Sequence, residues 1–388
     1  MSWNIDQEYI RESLRELVRT DSRNPNLTPD GPGEEKIGRL MAAWMDELGL
    51  EVKVYPLTPG RVNVVGILPG NGGGRSLMLN GHTDTVGVQG MEEPFSAAVR
   101  GGRLYGRGAQ DMKGSLAAML GAVKALADGG IPLRGDVIFA AVADEEDRSL
   151  GTRDLLRHHR ADGAVVTEPT EMEIVRAHRG LIWYEVETTG RAAHGSRFQE
   201  GIDAIGHMGR FLTEMEKLGR NLIARPGHPL AGPPSLHAGR IEGGTDICTY
   251  PASCRLQVDR RTVPGEDPDR VTGELEDIIR ELGAEDPLFK AAISILVQRP
   301  PLQTPADSPL VTALENAYRS RLDRNPLQTG AAYWSDAALL AEAGMEAVLL
   351  GPVGGGLHAA EEWVSLESVY QLAEVLAGTA AAYCGQAD

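Results

Sequence analysis

Short apolar runs that alternate with helix-patterned segments constrain this chain more than any other feature. "VNVVGILP", "SLMLNGHT", "DVIFAAVA" and "GAVVTEP" read as buried strands, and "KGSLAAMLGAVKALADGG" reads as a helix ending in glycine. The alternation specifies an α/β layer with a mostly parallel sheet. The middle of the chain reads differently. A strand "LIWYEVETTG" precedes the helix "GIDAIGHMGRFLTEMEKLG"; two strands, "SLHAGRIEG" and "SCRLQVDRR", precede the helix "DPDRVTGELEDIIRELG" and a last strand, "KAAISILVQ". That order, β-α-β-β-α-β, is the ferredoxin-like unit. It predicts an inserted domain over residues 180–297, returned through the Pro-rich "QRPPLQTPADSP". Residues 1–179 and 298–388, where the α/β pattern resumes with "MEAVLLGP", form the other domain.

At 388 residues, two domains are the natural expectation. Lys and Arg number 38 against 55 Asp and Glu, a net charge of −17, which argues against nucleic acid or an anionic membrane as partner. The first residues, "MSWNIDQEYIRESLRELVRTDS", form a charged amphipathic helix pattern without the apolar core of a signal peptide. No later stretch is long enough to span a bilayer. Cys248, Cys254 and Cys384 are odd in number and form no C-x-x-C pair. Reduced thiols and a cytoplasmic setting are expected. No tandem repeat, P-loop or G-x-S-x-G occurs.

Ligands of open α/β sheets bind beyond the carboxyl ends of the strands. His82 follows "SLMLNG"; Asp144, Glu145 and Glu146 follow "DVIFAAVA"; Glu168 follows "GAVVT"; and His358 lies beyond "AVLLGP". In "NGHTDTV", His82 and Asp84 stand two apart, so on extended chain they point the same way. Asp84 can orient a metal-bound His82 or simply hydrogen-bond to it. Asp111, in "YGRGAQDMKGS", can cap the following helix, or can bridge two cations with its two oxygens. Arg107 and Lys113 are either solvated or paired with neighbouring acids. The triplet Asp144-Glu145-Glu146 reads as a helix-starting turn or as a cation site. Three acids exceed what a cap needs, and a cation would relieve their repulsion. Mixed His and carboxylate ligation suits zinc, with cobalt or manganese as substitutes.

In order along the chain, "GHTDTV", "GRGAQDMKG", "ADEED", "TEPT", "GRAAHGS", "GG…YP…C…RRTVPGE" and "SDAALLAEAG…GP…H" resemble the motifs of the M20 metallopeptidases and N-deacylases. That family includes acetylornithine deacetylase, succinyl-diaminopimelate desuccinylase, aminoacylase-1 and carboxypeptidase G. The resemblance runs from about residue 10 to the C-terminus. It implies a zinc-peptidase-like catalytic domain and an inserted lid that mediates dimerisation. Carried over, it makes His82, Asp111 and Glu168 the ligands of one metal ion, and Asp111, Glu146 and His358 those of a second. Asp84 resembles the orienter of His82, and Glu145 the general base and acid. His194 matches a lid histidine that reaches the active site of the partner subunit and stabilises the oxyanion. Arg261 matches the arginine that holds the substrate carboxylate, a task its fork suits. Arg260, pointing oppositely on the strand, is expected at the surface.

The implied reaction is hydrolysis of an N-acyl amino acid by a metal-activated water, with Glu145 as base. The "TYP…C…RRTVPGE" segment looks closer to acetylornithine deacetylase-like members. Cys248 and Glu361 stand where many members carry Asn. The alternatives are a carboxypeptidase or dipeptidase, and, outside the enzymes, a catalytically silent metal-binding protein. The expected partners are a small N-acyl amino acid or short peptide with a free carboxylate, and a second copy of the chain.

Overall fold

The computed structural model describes residues 3–385. In chain order it contains α1 (Gln7–Arg19), α2 (Glu35–Glu47), β1 (Glu51–Thr58), β2 (Arg61–Leu68), β3 (Leu77–His82), α3 (Gly114–Asp128), β4 (Val137–Val142), α4 (Leu150–His158) and β5 (Gly163–Val166). Next come β6 (Gly180–Thr189), α5 (Ala204–Ala224), β7 (Ser235–Gly243), β8 (Ser253–Thr262), α6 (Pro268–Glu285) and β9 (Lys290–Arg299). The chain closes with α7 (Pro309–Leu322), α8 (Ala337–Glu342), β10 (Glu346–Leu349) and α9 (Leu366–Tyr383), and shorter strands fill the connections. Contacts divide it into two compact units, one of residues 1–176, 304–329 and 335–388, the other of residues 177–303 and 330–334.

In the first unit β1, β2, β4, β3, β5 and β10 lie side by side in that order. The central four, β4, β3, β5 and β10, are mutually parallel, whereas β1 and β2 run antiparallel at the flank. β3 and β4 are buried at every residue, which is why β4 reads as an unbroken apolar run and β3 as an apolar run up to Asn80. Helices α1, α2, α3, α7 and α9 share one hydrophobic core with one face of this sheet, including Leu79, Phe139, Val165 and Val348. Helices α4 and α8 pack on the same strands outside that cluster. Where α1 meets α3 at Gly121, a Cβ would lie 2.3 Å from Ile10 Cδ1 and 2.5 Å from its Cγ1, so the Ile10 side chain would have to move. Because parallel strands end together, β3, β4 and β5 deliver their following residues to one rim.

The second unit is a four-stranded antiparallel sheet in the order β7-β8-β6-β9. Its β-α-β-β-α-β sequence packs α5 and α6 over one core, with Ile182, Tyr184, Phe211, Leu256 and Leu275 inside. Residues 330–334, kept with the first domain by the sequence reading, belong to this unit. Trp334 Nε1 donates to Pro300 O at 3.0 Å, and the Arg299 guanidinium lies over the Trp334 ring at 4.1 Å. Among the described residues no helix is long and apolar enough to cross a membrane.

Candidate metal centre

The rim of the first unit gathers the residues that the strand ends carry. His82 is the last residue of β3, Glu145 and Glu146 lie in the turn after β4, and Glu168 follows β5 by two residues. Asp111 sits in a wide helical turn, Ala109–Lys113, just before α3, and makes no capping bond to that helix. His358 arrives on the loop after β10.

Asp111 offers one oxygen to each side. Oδ1 accepts from His82 Nε2 at 2.9 Å, and Oδ2 lies 3.3 Å from His358 Nε2. His82 Nε2 is also 3.7 Å from Glu168 Oε1, and His358 Nε2 is 3.2 Å from Glu146 Oε1. Two clusters sharing one carboxylate result. Glu145 stands as near, with an oxygen within 4.8 Å of donor atoms on His82 and Glu168.

The charges are crowded. Burial and the neighbouring carboxylates push Glu168 up to about 8 against the pull of His82. Burial also raises Glu145 and Glu146, aided by Glu168 for the first and Asp111 for the second. Asp111 is held well below the usual carboxylate range despite burial, because His358 and His82 both bond to it. His358 is driven up to about 10 by Asp111 and Glu146; His82 is also raised, since Asp111 and Glu168 outweigh the burial that opposes its charge. Acids that favour taking up protons here would equally be relieved by a divalent cation. Among the described residues, Glu168 Oε1 and Glu146 Oε1 are buried and accept no hydrogen bond. Two imidazoles, three carboxylates and two orphaned oxygens fit a pair of metal ions with mixed nitrogen and oxygen ligation.

The surroundings fix these groups. His82 Nδ1 donates to the main-chain carbonyl of Asp84 at 2.9 Å, leaving Nε2 toward the cluster. The Asp84 carboxylate, expected to be the orienter, is 3.6 Å from Nδ1. It is occupied elsewhere: it accepts from Glu145 N at 3.2 Å, Glu146 N at 3.3 Å and Asn24 Nδ2 at 2.8 Å. The main chain holds the histidine, and Asp84 shapes the turn of the acids.

Arg107, which sequence left unassigned, is buried and paired. Its Nη1 donates to Glu362 Oε2 at 2.6 Å, and its Nη2 donates to Ala359 O at 3.0 Å, beside His358. Glu362 also accepts from Gly108 N, Gln110 N and Asp111 N at 2.9–3.0 Å. One buried ion pair thus ties the Asp111 turn to the His358 loop. Lys113 is buried as well, donating to Thr20 O at 2.9 Å. The neighbouring Glu361 is exposed.

Two expected site residues belong to the second unit. His194 lies exposed in the loop between β6 and α5, bonded through Nδ1 to Ser196 Oγ at 2.8 Å. Arg261 Nε donates to Asp259 Oδ2 at 2.9 Å. Arg260 is buried rather than at the surface, because its face of β8 turns toward the helices, where Glu266 meets it at 2.6 Å.

Paired clusters of imidazole and carboxylate at the carboxyl ends of parallel strands offer the ligands that a two-metal hydrolase needs. The comparisons agree. The model of peptidase family M20/M25/M40 matches residues 78–382. The chain is 32% identical to an acetylornithine deacetylase of Myxococcus xanthus, over 97% of this chain and 98% of that protein. It is 29% identical to the N-formyl-4-amino-5-aminomethyl-2-methylpyrimidine deformylase of Bacillus subtilis (strain 168), over 98% and 96%. Its fold matches the crystal structure of aminopeptidase PepT from Bacillus cereus with a TM-score of 0.80 at 20% identity, covering 97% and 98% of the two chains. The protein belongs to peptidase family M20/M25/M40, whose members are metal-dependent hydrolases of amide and peptide bonds.

Proposed function

We propose that the protein is a dinuclear-metal amidohydrolase that cleaves N-acyl amino acids, in the manner of an acetylornithine deacetylase. The observation that carries this reading is Asp111, whose two oxygens face His82 on one side and His358 on the other at 2.9 and 3.3 Å. Kinship over nearly the full length with a deacetylase and a deformylase supports an acyl group as the part removed. His82, Asp111 and Glu168 would hold one divalent ion, and Asp111, Glu146 and His358 the other. Zinc, or cobalt or manganese in its place, would supply Lewis acidity and lower the pKa of a bound water.

The chain's own residues do the rest. Glu145 takes the proton of the attacking water at its carboxylate and returns it to the leaving amine. Its raised proton affinity in a buried, acidic setting suits both halves of that task. The partner subunit's His194 donates to the developing oxyanion, so the working form is a homodimer through the inserted domain. Arg261, bonded to Asp259 only through Nε, has its two Nη groups for the substrate carboxylate. The setting is the cytoplasm, consistent with three unpaired thiols.

The test is a screen of N-acetyl and other N-acyl amino acids beside dipeptides, using zinc- or cobalt-loaded protein. Faster release of acyl groups is expected. Cleavage of dipeptides with no action on N-acyl amino acids would replace this reading with a peptidase.

A further inference from the structure

Behind the acidic turn lies a buried polar chain that neither the metal ligands nor the proposed base accounts for. Glu34, Arg61, Asp144, Asn24 and Asp84 are all nearly or wholly inaccessible to solvent. They come from separate places: Asn24 from the segment after α1, Glu34 from just before α2, Arg61 from the start of β2, Asp84 from beyond β3, and Asp144 from beyond β4. Arg61 Nε and Nη2 grip both oxygens of Glu34 at 2.9 and 2.5 Å, while Nη1 reaches Asp144 Oδ1 at 2.7 Å. Asn24 Nδ2 then joins Asp144 Oδ1, at 3.0 Å, to Asp84 Oδ2, at 2.8 Å. Asp84 in turn accepts from the backbone N–H groups of Glu145 and Glu146.

Asp144 is the joint of this chain. Its backbone is left-handed, with φ at +68°, a conformation that a non-glycine residue holds only when its surroundings impose it. The surroundings are named: Arg61 and Asn24 fix one side-chain oxygen, Leu150 N at 3.3 Å donates to the other, and Ser149 N donates to its carbonyl at 2.6 Å. The next residue along the chain is Glu145. A guanidinium is required at position 61 because it must hold two carboxylates at once in fixed directions, and an ammonium on a flexible stem cannot.

We infer that Arg61 is a positioning residue for the reaction, acting through Asp144 to fix the backbone from which Glu145 projects. The inference rests on the reading of Glu145 as the base. Arg61→Lys and Asp144→Asn should each lower kcat by about 10- to 100-fold, the loss that follows a displacement of about 1 Å in a catalytic group. KM should stay within about 3-fold, and bound cobalt per chain, read by metal analysis and by its visible absorption, should match the wild type. A structural defect would lower activity in any background, whereas a positioning effect works through its target. In a Glu145→Asp background, where the carboxylate is already displaced, adding Arg61→Lys should therefore cost less than about 3-fold.

An unchanged kcat in both single variants overturns the inference. So does a loss that tracks cobalt content, or one that is as large in the Glu145→Asp background. Should Arg61→Lys fold poorly, the double variant Glu34→Gln, Arg61→Met removes the guanidinium together with the carboxylate it grips twice, leaves Asp144 in place without its Arg61 bond, and should show the same kcat loss. The base reading stands or falls separately. A Glu145→Gln protein that keeps more than about a tenth of wild-type activity overturns that reading; an inactive Glu145→Gln beside a fully active Arg61→Lys overturns only the role of Arg61.

Discussion

Replacing Glu362 by Gln tests whether one buried ion pair holds two loops of the candidate metal centre together. Glu362 and Arg107 are only 1% and 2% exposed. Oε1 of Glu362 accepts from Gln110 N and Asp111 N, and Oε2 from Gly108 N and the Arg107 guanidinium. A glutamine amide must therefore point its own N–H groups at two donors whichever way it is turned. It also leaves Arg107 without a counter-charge. Breaking a buried pair from one side costs about 3–5 kcal/mol, a large share of the roughly 5–15 kcal/mol that a domain has. For a unit of this size the melting midpoint should fall by about 10 °C. Circular dichroism of chelator-treated protein is the suitable assay, because bound metal would add its own stabilisation to both proteins. The double variant Arg107→Met, Glu362→Leu should not recover the loss, because the N–H groups of Gly108, Gln110 and Asp111 are then left without an acceptor. A Glu362→Gln midpoint within about 2 °C of wild type would refute the argument, because no buried guanidinium loses its partner so cheaply.

Further outcomes follow from the same geometry. Glu145→Gln should lower turnover by about 10²–10⁴-fold while metal content stays near wild type, measured by single-turnover kinetics and metal analysis. Mixed His194→Ala and Glu145→Ala subunits should recover activity once exchange is complete; no recovery would end the assignment of His194 to the partner's site. Zinc added to chelated protein should raise the melting midpoint, by an amount equivalent to about 2.7 kcal/mol at a hundredfold excess over Kd, and Glu168→Gln should blunt that rise. One thiol should react with an aromatic disulfide in native protein and three after denaturation. Cys248 is exposed, while Cys254 and Cys384 are buried, and burial pushes Cys384 up to about 12.

Much of this was legible because burial and periodicity write themselves into the chain. The parallel strands β3, β4 and β5 are largely apolar, and His82 at the end of β3 and the acids beyond β4 and β5 stand out against that background. Asp111 was legible only as a choice between cap and bridge, because both need a carboxylate before a helix; its contacts to two histidines decide where it points. Alternation along β8 told Arg260 from Arg261 but not which face was covered, and Glu266 supplies the reason that the covered one is Arg260. The pairs Arg61–Asp144 and Arg107–Glu362 were out of reach. Their partners are 83 and 255 residues apart, and no local pattern records a contact at that range. A charged residue at the head of the apolar strand β2 was the one available hint.

The discontinuity of the first unit bears on how the protein is made. β5 ends at Val166 and its parallel neighbour β10 begins at Glu346, with the whole second unit between them. During synthesis the second unit is complete before β10 exists, so it is free to fold first, while the central sheet waits with an exposed edge. Pairing over so long a separation is slow, and the open β5 edge is the segment most at risk of joining another chain. His358 comes later still. A nascent chain that stops short of residue 358 already carries His82, Asp111 and Glu168 but lacks the histidine that faces Asp111 Oδ2.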